Sequence, residues 1–325
     1  MKPAKPAKPT KHKTMANTHI ANSHLAGASA SGDLLAHNAA SSKASVTGVP
    51  VTRMPCSLRA LLLGCAVWPF MHAPTQSCLQ EDQLSAYREL LRQTQECLGN
   101  SHSCSRGLAL MTDVLTDIVE HCRREGSQES PTDCLPAEAE HQTALTQLAV
   151  ERTRLYRGVS ATGPTPPYEA EWLSGQPAPA VLLSLTRAYQ SSGLAVAAGE
   201  RPDYVGIELG YYQRLITQEA DDEPDRHMLL TLQREFVSEH IGRWVPSYVE
   251  VTLPLIQSDF FRGHLLLVRG CVAQEIARLL SHEIACESIR ESAQALSHEA
   301  VCESTHESTH EPVQETTRAG NKGPD

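Results

Sequence analysis

Residues 151–212 read ERTRLYRGVSATGPTPPYEAEWLSGQPAPAVLLSLTRAYQSSGLAVAAGERPDYVGIELGYY. Two loops interrupt an otherwise helical pattern. The first, Gly163-Pro164-Thr165-Pro166-Pro167-Tyr168-Glu169, cannot be helical, because each proline fixes its own φ and biases the residue before it toward extended backbone. The second, Gly199-Glu200-Arg201-Pro202-Asp203-Tyr204-Val205-Gly206-Ile207-Glu208, reads as loop, N-cap and first helical turn. Asp203 is predicted to cap the free N–H groups that follow it. Val205, Leu209, Tyr212 and Ile216 then return at helical spacing. Between the loops Leu182, Leu185 and Tyr189 mark a further helix, closed by Ser192-Gly193.

The same period extends in both directions. Upstream, Leu84, Tyr87, Leu91 and Leu98 share one face, as do Leu108, Met111, Leu115, Ile118 and Cys122, while Leu145, Leu148 and Leu155 line a third helix. Gly126 to Pro136 is a polar loop. Downstream, Met228, Leu229, Leu232, Phe236, Ile241 and Trp244 form a broad apolar face, and Phe261, Leu265, Val268, Val272, Ile276 and Leu279 a narrow stripe. Tyr248 to Ile256 alternates weakly, but Pro254 argues against a strand. The expected fold is all-α, a bundle of roughly ten helices in two subdomains joined by a hinge at 199–204.

Composition bounds the folded unit. All fifteen Phe, Trp and Tyr lie between Trp68 and Phe261, so the core is expected within residues 54–280. Residues 1–53 hold Lys-Pro-Ala repeats and an Ala/Ser-rich stretch, a composition that cannot bury enough surface to offset chain ordering. They are expected to be a disordered tail. Residues 281–325 repeat Ser281-His282-Glu283…Cys286-Glu287-Ser288 as Ser297-His298-Glu299…Cys302-Glu303-Ser304, too few copies for a solenoid. This acidic His/Cys-containing tail is expected to be disordered or a frayed helical extension.

Charge divides the same way. The first 53 residues carry seven Lys/Arg against one acid, the last 45 three against nine, and the middle eighteen against twenty-eight. An acidic folded unit argues against a nucleic-acid partner, whose phosphates demand a basic face, and suits either a cationic partner or a merely soluble surface. Ten cysteines suggest a disulfide framework, but the chain is long, their spacing is irregular and no Cys-x-x-Cys occurs. In a reducing cytoplasm they stay thiols. Leu58 to Phe70 is too short to span a bilayer and is read as the first bundle helix, ending at Pro69. Its rival is a signal-peptide core starting at Met54 with cleavage near Ala73, which would make a secreted, disulfide-bonded helical protein.

Several motifs in order resemble the TorD/DmsD/NarJ family of molybdoenzyme maturation chaperones. They are Leu155-Tyr156, Gly158, Pro166-Pro167-Tyr168-Glu169, Tyr189 with Gly193-Leu194, Glu200-Arg201-Pro202-Asp203 and Glu208, followed by Glu235-Phe236, His240, Trp244 and Pro246. The chain departs from the family pattern at Tyr204, where His is usual, and at Arg152, where an aromatic is common. The likeness covers about residues 57–280.

This resemblance implies a cytoplasmic chaperone that makes and breaks no bond. It would bind the precursor of a molybdoenzyme catalytic subunit together with its twin-arginine signal peptide, before export. The chaperone itself would carry no cofactor, because the molybdenum–pterin guanine dinucleotide belongs to the client. No membrane span is expected, and a homodimer is left open. Peptide binding is assigned to Leu155, Tyr156, Pro167, Tyr168, Glu169, Trp172, Glu200, Asp203, Tyr204 and Glu208. The acids would grip guanidinium groups and the rings would line an apolar groove.

Two enzymatic readings compete. Glu169, Glu200, Asp203 and Glu208 could contain a general acid/base pair, although no Gly-x-Ser-x-Gly, Walker A or Gly-x-Gly-x-x-Gly accompanies them. His282, Cys286, His298 and Cys302 could hold zinc for a hydrolase, but the short Cys-x-x-Cys arm of structural sites is missing.

Overall fold

The computed structural model describes residues 54–125, 137–159, 163–221 and 226–307. Residues 1–53, the Gly126–Pro136 loop and the last residues of the C-terminal tail lie outside the described residues. Ten α-helical segments follow in order: α1 Cys56–Met71, α2 Glu81–Leu98, α3 Ser103–Glu125, α4 Ala137–Tyr156, the single turn α5 Glu169–Trp172, α6 Ala178–Ser191, α7 Val205–Asp221, α8 Arg226–Phe236, α9 Gly242–Thr252 and α10 Asp259–Glu307. A π turn, Val237–Ile241, joins α8 to α9. No strand occurs among the described residues, so the all-α expectation holds. The weakly alternating stretch before Ile256 is the end of α9 and a 3-10 turn.

Apart from Arg59, helix α1 is apolar on nearly every side, and that is where the bundle centres. Leu58, Leu62, Leu63, Ala66, Val67 and Phe70 are all buried, as a helix without a polar face must be. Its main partner is α7. Gly206 makes the approach close: a Cβ there would lie 2.6 Å from the Met71 sulfur. The helix does not stop at Pro69, as its sequence suggests, but runs on to Met71. A proline withholds only its own N–H, and the next bond, from the His72 N–H to the Trp68 carbonyl, forms at 2.8 Å.

The carbonyls freed at that helix end are taken up by Arg152 on α4. Its Nε donates to the Pro69 carbonyl at 2.7 Å, and a second guanidinium N–H donates to the Phe70 carbonyl. A cation at a helix C-terminus satisfies orphan carbonyls and complements the dipole. The aromatic residue common in the family at Arg152 could supply neither.

Two further polar pins hold the core. Arg59 forks onto Glu275 (2.7 and 2.6 Å), reaches Glu219 at 3.1 Å, and all three side chains are about 3 % exposed. Tyr212 donates to Glu275 at 2.8 Å, and Gln233 bonds both Arg59 and Glu219. Burial opposes the Arg59 charge, yet the bond to Glu275 and the two nearby carboxylates outweigh it and raise its pKa. At the other pin, the His264 Nε2–H donates to the Ala66 carbonyl at 2.7 Å, so its Nδ1 accepts from the Tyr156 hydroxyl at 2.6 Å. Burial lowers the His264 pKa to about 4, which keeps the ring neutral as both bonds require.

Helices α3 and α10 cross at near backbone contact. A Cβ on Gly107 would stand 2.5 Å from the Gly263 carbonyl, and one on Gly270 would stand 2.6 Å from the Cys104 nitrogen. The chain divides into two compact units at Ile276/Ala277. The described part of the second is helix α10 through Glu307, with Leu280, Ile284 and Ile289 exposed. The side chains of Cys286, His298 and Cys302, proposed above as zinc ligands, lie outside the described residues.

Candidate functional site

The two kinked loops meet. The Glu169 N–H donates to the Asp203 carbonyl at 2.9 Å, and the Val205 N–H donates to the Pro167 carbonyl at 3.0 Å. Tyr168 and Tyr204 thus form an isolated antiparallel bridge with their rings 5.4 Å apart. Proline explains why the first loop pairs here. Held extended and unable to donate from Pro166 or Pro167, it offers carbonyls instead: that of Pro167 to Val205, and that of Pro166 to the Trp172 indole N–H at 3.0 Å. The Tyr189 hydroxyl anchors the second loop through the Pro202 carbonyl at 2.7 Å.

This pairing turns most of the expected peptide-binding residues inward. Leu155 and Tyr156 are fully buried, Pro167 is buried, and Glu169, Asp203 and Glu208 are at most 1 % exposed. Tyr204 is 6 % exposed, and its hydroxyl donates to the Phe70 carbonyl at 2.7 Å, beside Arg152. Burial raises its pKa to about 12. Only Tyr168 and Trp172, half-buried, and Glu200, exposed, face outward. The expected row of outward acids is therefore corrected: three of the four carboxylates are internal fixtures.

Each internal carboxylate has a definite task. Asp203 does not cap the helix after it; Arg201 forks onto it at 2.9 and 2.7 Å instead. That bond raises the Arg201 pKa and sets the guanidinium over the Tyr168 ring, 4.1 Å from its centroid. Glu208, at the start of α7, accepts from the Trp244 indole at 3.1 Å through Oε2, while its Oε1 has no donor among the described residues. Burial first, then the nearby Glu169 and Asp203, push its pKa well above the carboxylate range, against the pull of the Trp244 bond. Glu169 accepts from His240 Nδ1 at 3.0 and 3.1 Å.

His240 belongs to the π turn, and its Nε2 lies 3.4 Å from the Ser184 hydroxyl. Ser184, His240 and Glu169 thus stand in the order nucleophile, base and orienting acid. The chemistry stops there. Ser184 lies inside α6, so its amide N–H is committed to the helix ladder and cannot help hold an oxyanion. The chain of bonds is better suited to fixing one wall of a groove.

That groove, of about 450 Å³, runs between α6 and α8. Leu183, Ser184 and Arg187 come from α6, Glu235 and Phe236 from α8, Glu239 and His240 from the π turn, and Tyr211 from α7. None of these groove residues except His240 and the Glu235-Phe236 pair stands out in the sequence, because the groove is made by two helices that only tertiary packing brings together. The extra residue of the π turn, a feature often found at functional sites, also leaves no period to read.

The bundle thus carries a groove with a polar rim, and its buried acids hold the frame beside it. Residues 111–250, from α3 to α9, match the family described as the nitrate reductase delta subunit. Over that segment the chain is similar to the NarJ/TorD-type chaperones, without preference for the TorD or DmsD branch. The matched segment is narrower than the likeness in the sequence, but it contains both loops and the whole groove. No curated protein and no solved structure matches the chain significantly.

Proposed function

We propose that this chain is a maturation chaperone for a molybdoenzyme, acting in the cytoplasm on the apo form of the catalytic subunit and on its twin-arginine signal peptide. The observation that carries the reading is the match of residues 111–250 to a family of molybdoenzyme maturation chaperones. The acidic folded unit and the groove inside that segment support it. No helix among the described residues is long and apolar enough to cross a membrane.

The mechanism is occupancy. While the chaperone holds the precursor, the signal stays covered and the client stays open to its molybdenum–pterin guanine dinucleotide cofactor. Release follows folding, with no covalent step by the chaperone. The paired loops would act as a rigid frame, and Tyr168, Trp172, Glu200 and Arg201 at their surface would contact the body of the client.

The test is affinity purification of the full chain from its native cell, with mass spectrometry of what accompanies it. A molybdoenzyme catalytic subunit retaining its uncleaved signal, and lacking cofactor, is the expected companion. Recovery of the mature, cofactor-loaded enzyme alone, or of no molybdoenzyme, would overturn the reading.

A further inference from the structure

We infer that the groove between α6 and α8 is the seat of a cationic side chain of the bound peptide, an arginine or lysine held between Glu235 and Glu239, with the neighbouring apolar residue against Leu183 and Leu232. This rests on the chaperone reading and names the subsite within it, at a different place from the loops that the sequence motifs mark.

The floor is aromatic. Tyr211 and Phe236 stand 4.7 Å apart in an edge arrangement, and the Tyr211 hydroxyl is fixed by bonds to Ser192 (2.8 Å) and to the Ala188 carbonyl (3.0 Å). Both rings are buried, so they form an apolar base to the groove and leave the charge to its rim. The rim is acidic: Glu235 and Glu239 are exposed, and neither pairs with a cation among the described residues. Two exposed carboxylates four residues apart over an apolar base are a receptor for a planar cation with several N–H donors.

The opposite wall supplies the apolar half. Leu183 is 50 % exposed, although Val181, Leu185 and Tyr189 on the same helix are buried and Leu182 is half-buried. Arg187, one turn on, has no ion pair among the described residues. It would repel a second cation from its own side, so the charge of the peptide is directed to the α8 wall. An anionic ligand is disfavoured, since two carboxylates face it against one guanidinium. The volume suits a few side chains and not a folded surface.

The wall itself is held rigid from behind. Glu169 fixes His240, and His240 reaches Ser184, so the π turn and α6 keep their spacing when the groove is empty. A preformed groove loses less entropy on binding. In this way the buried Glu169 of the proline loop contributes to binding without touching the peptide.

The experiment measures fluorescence anisotropy of a labelled synthetic peptide, two adjacent arginines followed by a leucine/alanine run, with the full chain. Glu235→Gln with Glu239→Gln should weaken binding about tenfold or more, the loss of one or two charge-assisted hydrogen bonds, and remove most of its salt dependence. Arg187→Gln should bind at least as tightly as the unaltered chain. A benzophenone amino acid in place of Leu183 should crosslink the peptide. Affinity of the double variant within about twofold of the unaltered chain, at the same melting temperature, overturns the assignment, as does a peptide that escapes crosslinking. If the unaltered chain binds the peptide and co-purifies with a precursor while the variants bind equally, only the groove is wrong. If it binds neither, the chaperone reading falls with it.

Discussion

Glu208→Gln should change how stability depends on pH, with a slope that one buried carboxyl dictates. The side chain is fully buried, one oxygen takes the Trp244 N–H, and the other has no donor among the described residues. Burial, with Glu169 and Asp203 nearby, raises its folded-state pKa well above its ordinary value, while the unfolded chain keeps a pKa of about 4.3. Between those two values the folded protein holds a proton that the unfolded chain has released. A group with a raised folded pKa contributes its full stability below the unfolded pKa and loses it as pH rises through the folded one. Inside the window the loss is about 1.4 kcal/mol per pH unit, the slope for one proton. Glutamine copies the protonated acid in shape and still offers its oxygen to Trp244, so the variant lacks that slope. Urea unfolding of both proteins at intervals from pH 4 to 8 gives the difference directly. The stability of Glu208→Gln relative to the unaltered chain should climb by about 1.4 kcal/mol per unit once pH passes about 4.5, and level off above the folded pKa. Parallel curves over the whole range would refute the assignment of a retained proton to this site.

The remaining predictions concern the frame around the site. Arg59→Met takes away the guanidinium that Glu275 and Glu219 share, leaving Glu219 the longer Arg226 contact of 3.7 Å, and should cost about 3–5 kcal/mol at neutral pH by urea unfolding; a cost below about 1 kcal/mol would show that the cluster is not a net support. Gly107→Ala places a methyl 2.5 Å from the Gly263 carbonyl. It should destabilise by about 1–3 kcal/mol, and a neutral result would mean that α3 and α10 part without resistance.

Legibility differed by element. The 3.6-residue repeats of Leu84–Leu98, Leu108–Ile118 and Leu145–Leu155 were enough to place helices, because helical period is a local property that burial of one face imprints on the chain. Ser192-Gly193 marked a helix end for the same local reason, Gly193 having a positive φ of 71°. Pro69 misled, since a proline looks like a stop but Arg152, 83 residues away, accommodates the carbonyls beyond it. Asp203 misled similarly. Its position fits a cap, but the adjacent Arg201 competes for the carboxylate with two charge-assisted bonds.

The acids of the site show the wider division. Their identity and order along the chain carry a family likeness, and the proline geometry of the first loop follows from covalent chemistry alone. Which carboxylates face water was not in the sequence, because exposure depends on partners distant along the chain: Trp244 for Glu208, His240 for Glu169. The α6–α8 groove is decided entirely at the tertiary level, where Leu183 and Arg187 come to stand across from Glu235 and Glu239. Local sequence sets the backbone path through steric and hydrogen-bonding rules acting within a few residues. A binding surface needs side chains from remote segments at one place, and only the packing of the helices determines that.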